Sequence, residues 1–161
     1  MSIKQKLFTS FGIIIVVLFA LTYYASSQLT NVNDSYMFLL QDRVYKVLEA
    51  NEIESAVTRQ GAYIRSYVLR QNEQDLDNLE TQFNKIDEQI SLLDTLFTDD
   101  VMFEQLDEIK KQQQLFEQYA QQIIAAMDAD DEAKAQNILF TNAAPTNLLM
   151  IDAVDEIIAF Q

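Results

Sequence analysis

Three arginines, Arg59, Arg65 and Arg70, fall within twelve residues of each other. A guanidinium carries N–H donors in a fixed fork and can grip a carboxylate through two parallel hydrogen bonds. The group is therefore a candidate site for an anionic ligand. The competing reading is a set of solvated ion pairs with acids such as Glu54 and Glu73, which would contribute little. At about 100° per residue, Arg59 and Arg70 share one helix face and Arg65 points about 120° away. One helix cannot bring all three to a single ligand.

Other chemistry is thinly represented. The 161 residues contain no histidine and no cysteine, which removes imidazole acid–base catalysis, thiolate nucleophiles and the commonest transition-metal ligands. Gly12 and Gly61 are the only glycines, so no glycine-rich loop can cradle a phosphate. Carboxylates remain, but no pair of them points to an evident pocket, and the chain is expected to be non-enzymatic. No cofactor is expected. The net charge of −14 argues against nucleic-acid binding, which needs clustered Lys and Arg.

Two acidic features invite a metal. From Glu73 to Glu108 there are twelve acids and one base, Lys85, which reads as a solvated outer face rather than a cation site. The run from Asp128 to Glu132 looks like the start of a calcium loop. An EF-hand needs glycine sixth and glutamate twelfth, where Ala133 and Leu139 stand. An N-cap role for Asp130 or Asp131 is the simpler account.

The elements that position these residues are helices. One proline and two glycines leave little material for the turns of a sheet. Leu76, Leu79, Phe83, Ile86, Ile90, Leu93 and Phe97 alternate spacings of three and four, a heptad stripe. Met102, Leu106, Ile109, Gln113, Phe116, Ala120, Ile123 and Met127 form a second. Between the two stripes, Asp99 and Asp100 suit the N-terminal turn of the second helix. A last helix from about Asp131 carries Ala135, Ile138, Leu139, Leu148, Leu149, Ile151, Val154, Ile157 and Ile158. Pro145 inside it should bend it or reset its register.

The expected helices are 28–71, 74–97, 101–128 and 131–161. Their short polar loops predict an all-α, antiparallel up-down-up-down four-helix bundle. In the first helix, Ala50, Ile53, Val57, Ile64 and Tyr67 should face the core on a stripe broken by Gln60. A second stripe about 100° away runs Leu40, Val44, Val47, Asn51, Glu54, Thr58, Gly61, Arg65 and Val68. It is the expected seam of a homodimer. Asn51 would fix its register, and Gly61 would allow close approach of two helices or a ligand.

Residues 7–25, LFTSFGIIIVVLFALTYYA, lie in a stretch with no charge between Lys6 and Asp34. Nineteen residues rise roughly 28 Å as a helix, the thickness of a bilayer core. With Lys4 and Lys6 ahead of it, residues 1–6 are expected in the cytoplasm, 7–25 across the lipid bilayer of the cell membrane, and 28–161 outside. The apolar run is longer than the core of a signal peptide, so an uncleaved anchor is the expectation. The first helix would climb roughly 65 Å from the membrane, and the fourth would need to run past Gln161 to return. A second span and a cytoplasmic output are therefore expected beyond residue 161, which would make this bundle C-terminally truncated.

This layout resembles the four-helix-bundle sensor domain of methyl-accepting chemotaxis proteins. Arg65-Ser66-Tyr67-Val68-Leu69 is similar to that family's Arg-x-Tyr-x-Leu stretch, and Asp131-Glu132-Ala133-Lys134-Ala135 with Pro145 to the opening of its fourth helix. The resemblance implies an input domain that passes small helix shifts across the membrane. It implies a small-molecule ligand or a periplasmic binding protein as partner. It also implies arginines near Arg59, Arg65 and Arg70 gripping ligand carboxylates, often across a dimer interface. An input domain of a sensor histidine kinase or cyclic-nucleotide enzyme is the alternative, and a structural tethered bundle a third reading.

Overall fold

The structure is a computed structural model. It describes the backbone of residues 3–160 and the side chains of residues 40–160, together with 17–19, 21–24 and 37. The chain is all-α, with no strand among the described residues. Helix α1 runs Ile3–Arg70, α2 Glu73–Leu96, α3 Asp100–Asp128, α4 Glu132–Ile138 and α5 Ala144–Phe160. A π turn, Leu139–Ala143, joins the last two into one fourth helix.

The chain divides into two units, 1–43 and 44–161, with the boundary inside α1. In the first unit Val17, Leu18, Phe19, Leu21, Tyr23 and Tyr24 are exposed. The Thr22 hydroxyl donates to the Leu18 carbonyl at 2.8 Å, which is how a helix satisfies a lone hydroxyl. The proposed cytoplasmic residues 1–6 and most of the apolar run 7–25 lie outside the residues whose side chains are described. Among the described residues no helix is long and apolar enough to cross a membrane.

In the second unit the helix ends follow from local chemistry. After α1, Gln71 takes a left-handed conformation at φ 51°, and its N–H donates to the Tyr67 carbonyl at 2.8 Å. Asn72 then caps α2 by accepting from the Gln74 N–H at 3.2 Å. Asp99 caps α3 through the Val101 N–H at 2.9 Å. At the far end of α3, Asp130 is left-handed at φ 57°. Its N–H reaches the Met127 carbonyl, and the Asp131 N–H reaches that of Ala126, a Schellman closure. Asp131 caps α4 by accepting from the Lys134 N–H at 3.1 Å.

The heptad stripes bury as their spacing requires. In α1, Ala50, Ile53, Val57, Ile64 and Tyr67 are all in the core, and so is Gln60. The whole α3 stripe from Met102 to Met127 is buried; in α2, Leu76 and Phe83 are partly buried at the edge. Phe83 meets Phe116 edge-on at 6.1 Å, and Phe97 meets Phe103 at 6.4 Å. These contacts, with the Lys110–Asp94 pair at 3.0 Å, hold α2 and α3 antiparallel. Ser66–Asp75 and Lys85–Glu52 do the same for α1 and α2. At the tip, the Tyr67 hydroxyl has its pKa raised, first by burial and then by the Asp128 carboxylate.

The fourth helix departs from the expected pattern. Ala135, Ile138 and Leu139 are buried, but Leu148 and Leu149 are exposed, at 61% and 48%. Ala143, Thr146, Asn147, Met150, Ala153, Val154 and Ile157 take the inward positions. That set is displaced by one residue from an unbroken continuation of Ala135 and Ile138. The π turn inserts this one residue, since the Ala144 N–H reaches back five residues to the Leu139 carbonyl. Pro145 explains its place. The proline ring crowds the carbonyl four residues back and donates nothing to it, and a wider turn relieves that crowding. The hydroxyls of Thr141 and Thr146 reach back to the carbonyls of Asn137 and Asn142, at 2.6 and 2.9 Å, around the same turn. The shift keeps Asp152, Asp155 and Glu156 in solvent. Uninterrupted α-helix would drive Asp152 and Glu156 inward.

Candidate functional site

A groove of about 330 Å³ opens between α1 and the fourth helix. Thr58 and Arg65 form its α1 side, and Phe140, Ala144, Asn147, Leu148 and Ile151 line the other. The π turn shapes the second wall, because its register shift turns Asn147 inward.

Gly61 lies beneath two of the lining side chains, Asn147 and Arg65. A Cβ built there would lie 3.0 Å from Nδ2 of Asn147 and 3.3 Å from a terminal nitrogen of Arg65. Only glycine leaves both side chains in place without displacement. Nδ2 of Asn147 donates to the Val57 carbonyl at 3.0 Å, and its Oδ1 accepts from Nε2 of Gln60 at 3.0 Å. Gln60 is fully buried, 3.9 Å from the sulfur of Met150, and its Oε1 has no hydrogen-bond partner. A polar node thus runs from the groove wall into the core, a costly place for polar atoms unless each is paired.

The three candidate arginines go three ways. Arg65 reaches the groove; its Nε donates to the Gly61 carbonyl at 2.9 Å, which holds the guanidinium beside Gly61. Among the described residues its terminal N–H groups have no hydrogen-bond partner. Arg70 is held at the tip: its Nε donates to the Ser66 hydroxyl at 3.0 Å, and it lies 3.5 Å from Asp75. Ser66 in turn donates to Asp75 at 2.6 Å. Asp75 is buried, so Arg70 and Ser66 compensate a carboxylate at the start of α2. Arg59 is exposed. It acts on Glu52, whose carboxyl is held below its usual value chiefly by Lys85, with Arg59 adding a smaller field.

The expected seam also changes in two places. Leu40, Val44, Asn51, Thr58 and Arg65 are exposed, but Gly61 and Val68 are buried within their own chain. Asn147 fills the space over Gly61 that a second helix or a ligand was expected to use. The Asn51 amide donates to the Val47 carbonyl of its own helix at 2.6 Å.

Sequence reasoning singled out Arg65 as a site candidate and Thr58 as a seam residue, but none of the residues of the opposite wall. The signal was present in Gln60, which interrupts an apolar stripe, and in Asn147 two residues after Pro145. A buried polar residue demands a partner, and each is the other's.

Residues 1–161 match the family described as a four helix bundle sensory module for signal transduction. Among curated proteins, none matches. Among solved structures, the chain is similar to a periplasmic sensor domain of a sensor histidine kinase, at 18% identity and TM-score 0.64. That likeness covers 72% of this chain and 80% of the other. It is also similar to a chain of a XylFII-LytSN complex, at 19% identity and TM-score 0.51, covering 70% of this chain and 98% of that one. At these identities the two structures speak for the fold alone, while the match over the full length assigns the family. The chain belongs to the four-helix-bundle sensory modules of signal transduction.

Proposed function

We propose that the chain is the extracytoplasmic input domain of a membrane-anchored chemotaxis receptor, and that it binds a small ligand bearing a carboxylate on an apolar body. The groove carries this reading. It joins α1 to the fourth helix, so an occupant gains contacts that depend on how the two helices sit. Arg65 supplies a fixed cation with unused donors; Phe140, Leu148 and Ile151 supply apolar walls. The apolar run 7–25 and the exposed Val17–Phe19, Leu21, Tyr23 and Tyr24 suit a lipid anchor. A histidine kinase output is the second reading, favoured by the likeness to a kinase's periplasmic sensor domain.

A panel of carboxylates should be scanned against the full chain in lipid nanodiscs by thermal shift and calorimetry. A ligand that binds should raise the melting temperature by mass action. Arg65→Ala should weaken it by about 10- to 100-fold, the worth of a hydrogen-bonded charge pair. Arg70→Ala should lower stability without that selective loss of affinity. Failure of every carboxylate to bind, or full affinity in Arg65→Ala, defeats the reading.

The exposed stripe of α1 in the second unit is proposed as the seam of a homodimer, narrowed to Val44, Asn51, Thr58 and Arg65. The chain has no native cysteine, so single cysteines report cleanly. Thr58→Cys should form an intersubunit disulfide in membranes under mild oxidation, because the bond needs Cβ atoms within about 4.5 Å. Ile64→Cys, buried in the bundle, should not. Equal crosslinking at both positions would rule out the seam.

A further inference from the structure

The π turn offers two registers for the residues before it. Helix α5 is held by its present face, since turning it would bury Asp152 and Glu156 and expose Met150, which is fully buried. The segment ahead of the turn is not so constrained. Its present face buries Ala135, Ile138 and Leu139 and leaves Phe140 64% exposed on the groove wall. Carried back from α5 without the π turn, the inward positions become Gln136, Leu139, Phe140 and Ala143. Ile138 would then leave the core as Phe140 entered it. One large apolar side chain replaces another, while Gln136 takes the place of buried Ala135, so the regular register is the less stable of the two and its population the minor one. The extra residue would pass toward the tip, where Ala129, Asp130 and Asp131 already form an irregular turn. π turns concentrate at functional sites because they are movable one-residue insertions.

Building on the groove as the ligand site, we propose that the π turn is its gate. In the observed register Phe140 stands in the groove wall and the groove is open. In the regular α register Phe140 turns into the core and the wall is lost. A groove occupant packed on Phe140 binds only the π register and draws the population toward it. The gate thus converts occupancy into the register of the fourth helix, whose buried Asn147 contacts α1 through Gln60 and Val57.

The test places 4-fluorophenylalanine at Phe140 in the full chain in nanodiscs and follows ¹⁹F relaxation dispersion, which detects minor states exchanging in microseconds to milliseconds. Wild type should show exchange between an exposed major state and a buried minor one. Ile138→Ala weakens the present register and should raise the buried population several-fold. Deleting Thr141 together with Pro145→Ala removes the inserted residue while keeping the phase of both flanks, and should abolish the exchange. A sharp single state in wild type and in Ile138→Ala overturns the gate, as does exchange that persists in a helical, folded deletion chain. Sodium benzoate serves as the ligand probe. If it stabilises the chain, it should suppress the buried state; stabilisation without that suppression overturns the gate and leaves the groove reading standing. Exchange that responds to Ile138→Ala in a chain that binds no carboxylate leaves the two registers standing but defeats the groove reading and, with it, the gate.

Discussion

Ile64→Ala should destabilise the bundle by about 2–5 kcal/mol, the cost of removing a large aliphatic side chain from a site that cannot collapse. Ile64 is fully buried in α1, one turn from the tip residues Tyr67 and Val68. Urea unfolding of the full chain, followed by circular dichroism, measures the loss as a lower midpoint at unchanged slope. Ala62, two residues earlier, is exposed on the same helix and provides the control. Ala62→Ser should change stability by less than about 0.5 kcal/mol. Similar losses at the two positions would mean that α1 packs on a different face. The contrast tests the stripe that places Arg65 beside the groove and Ile64 in the core.

Gly61→Val should cost about 2–4 kcal/mol and distort the groove by displacing Asn147. A Cβ alone would stand 3.0 Å from Nδ2 of Asn147, and valine adds two methyl groups beyond it. Asn147 would have to move, breaking its bonds to the Val57 carbonyl and to Gln60. Each polar group left buried without a partner costs about 1–3 kcal/mol, and crowding adds to that. The better helix propensity of valine returns only a few tenths of a kcal/mol. Gly61→Ala should fall nearer zero, because alanine gains about 1 kcal/mol in helix propensity against a milder clash. Calorimetry of both variants, with binding of any carboxylate that stabilises wild type, checks the order. A neutral Gly61→Val would mean that the Asn147 contact is not made.

Both expectations rest on features that differ in how far the sequence reveals them. The α2 and α3 stripes are legible because heptad spacing and burial are one property: a side chain every three or four residues returns to the same side of a helix. The caps at Asp99 and Asp131 are legible for a local reason, as a short polar side chain reaches N–H groups two or three residues on. The divergence of the three arginines also follows from angle alone. Arg70 at Asp75, Arg65 at the groove and Arg59 near Glu52 occupy three separate surroundings.

What the sequence by itself determined is therefore an all-α chain, its helix ends and the inward face of each uninterrupted helix. These depend on interactions within a few residues and on a repeating angle. The tertiary structure decided what the fourth helix presents. Pro145 announces a break, but not whether the chain answers by kinking, stopping or widening one turn. The burial of Met150 and Val154 against α1 and α3, with Asp152 and Glu156 left in water, selects the wide turn. That choice moves Leu149 out and Asn147 in, over a glycine 86 residues earlier. No local rule links Gly61 to Asn147, because their contact exists only once two helices distant in sequence have packed side by side.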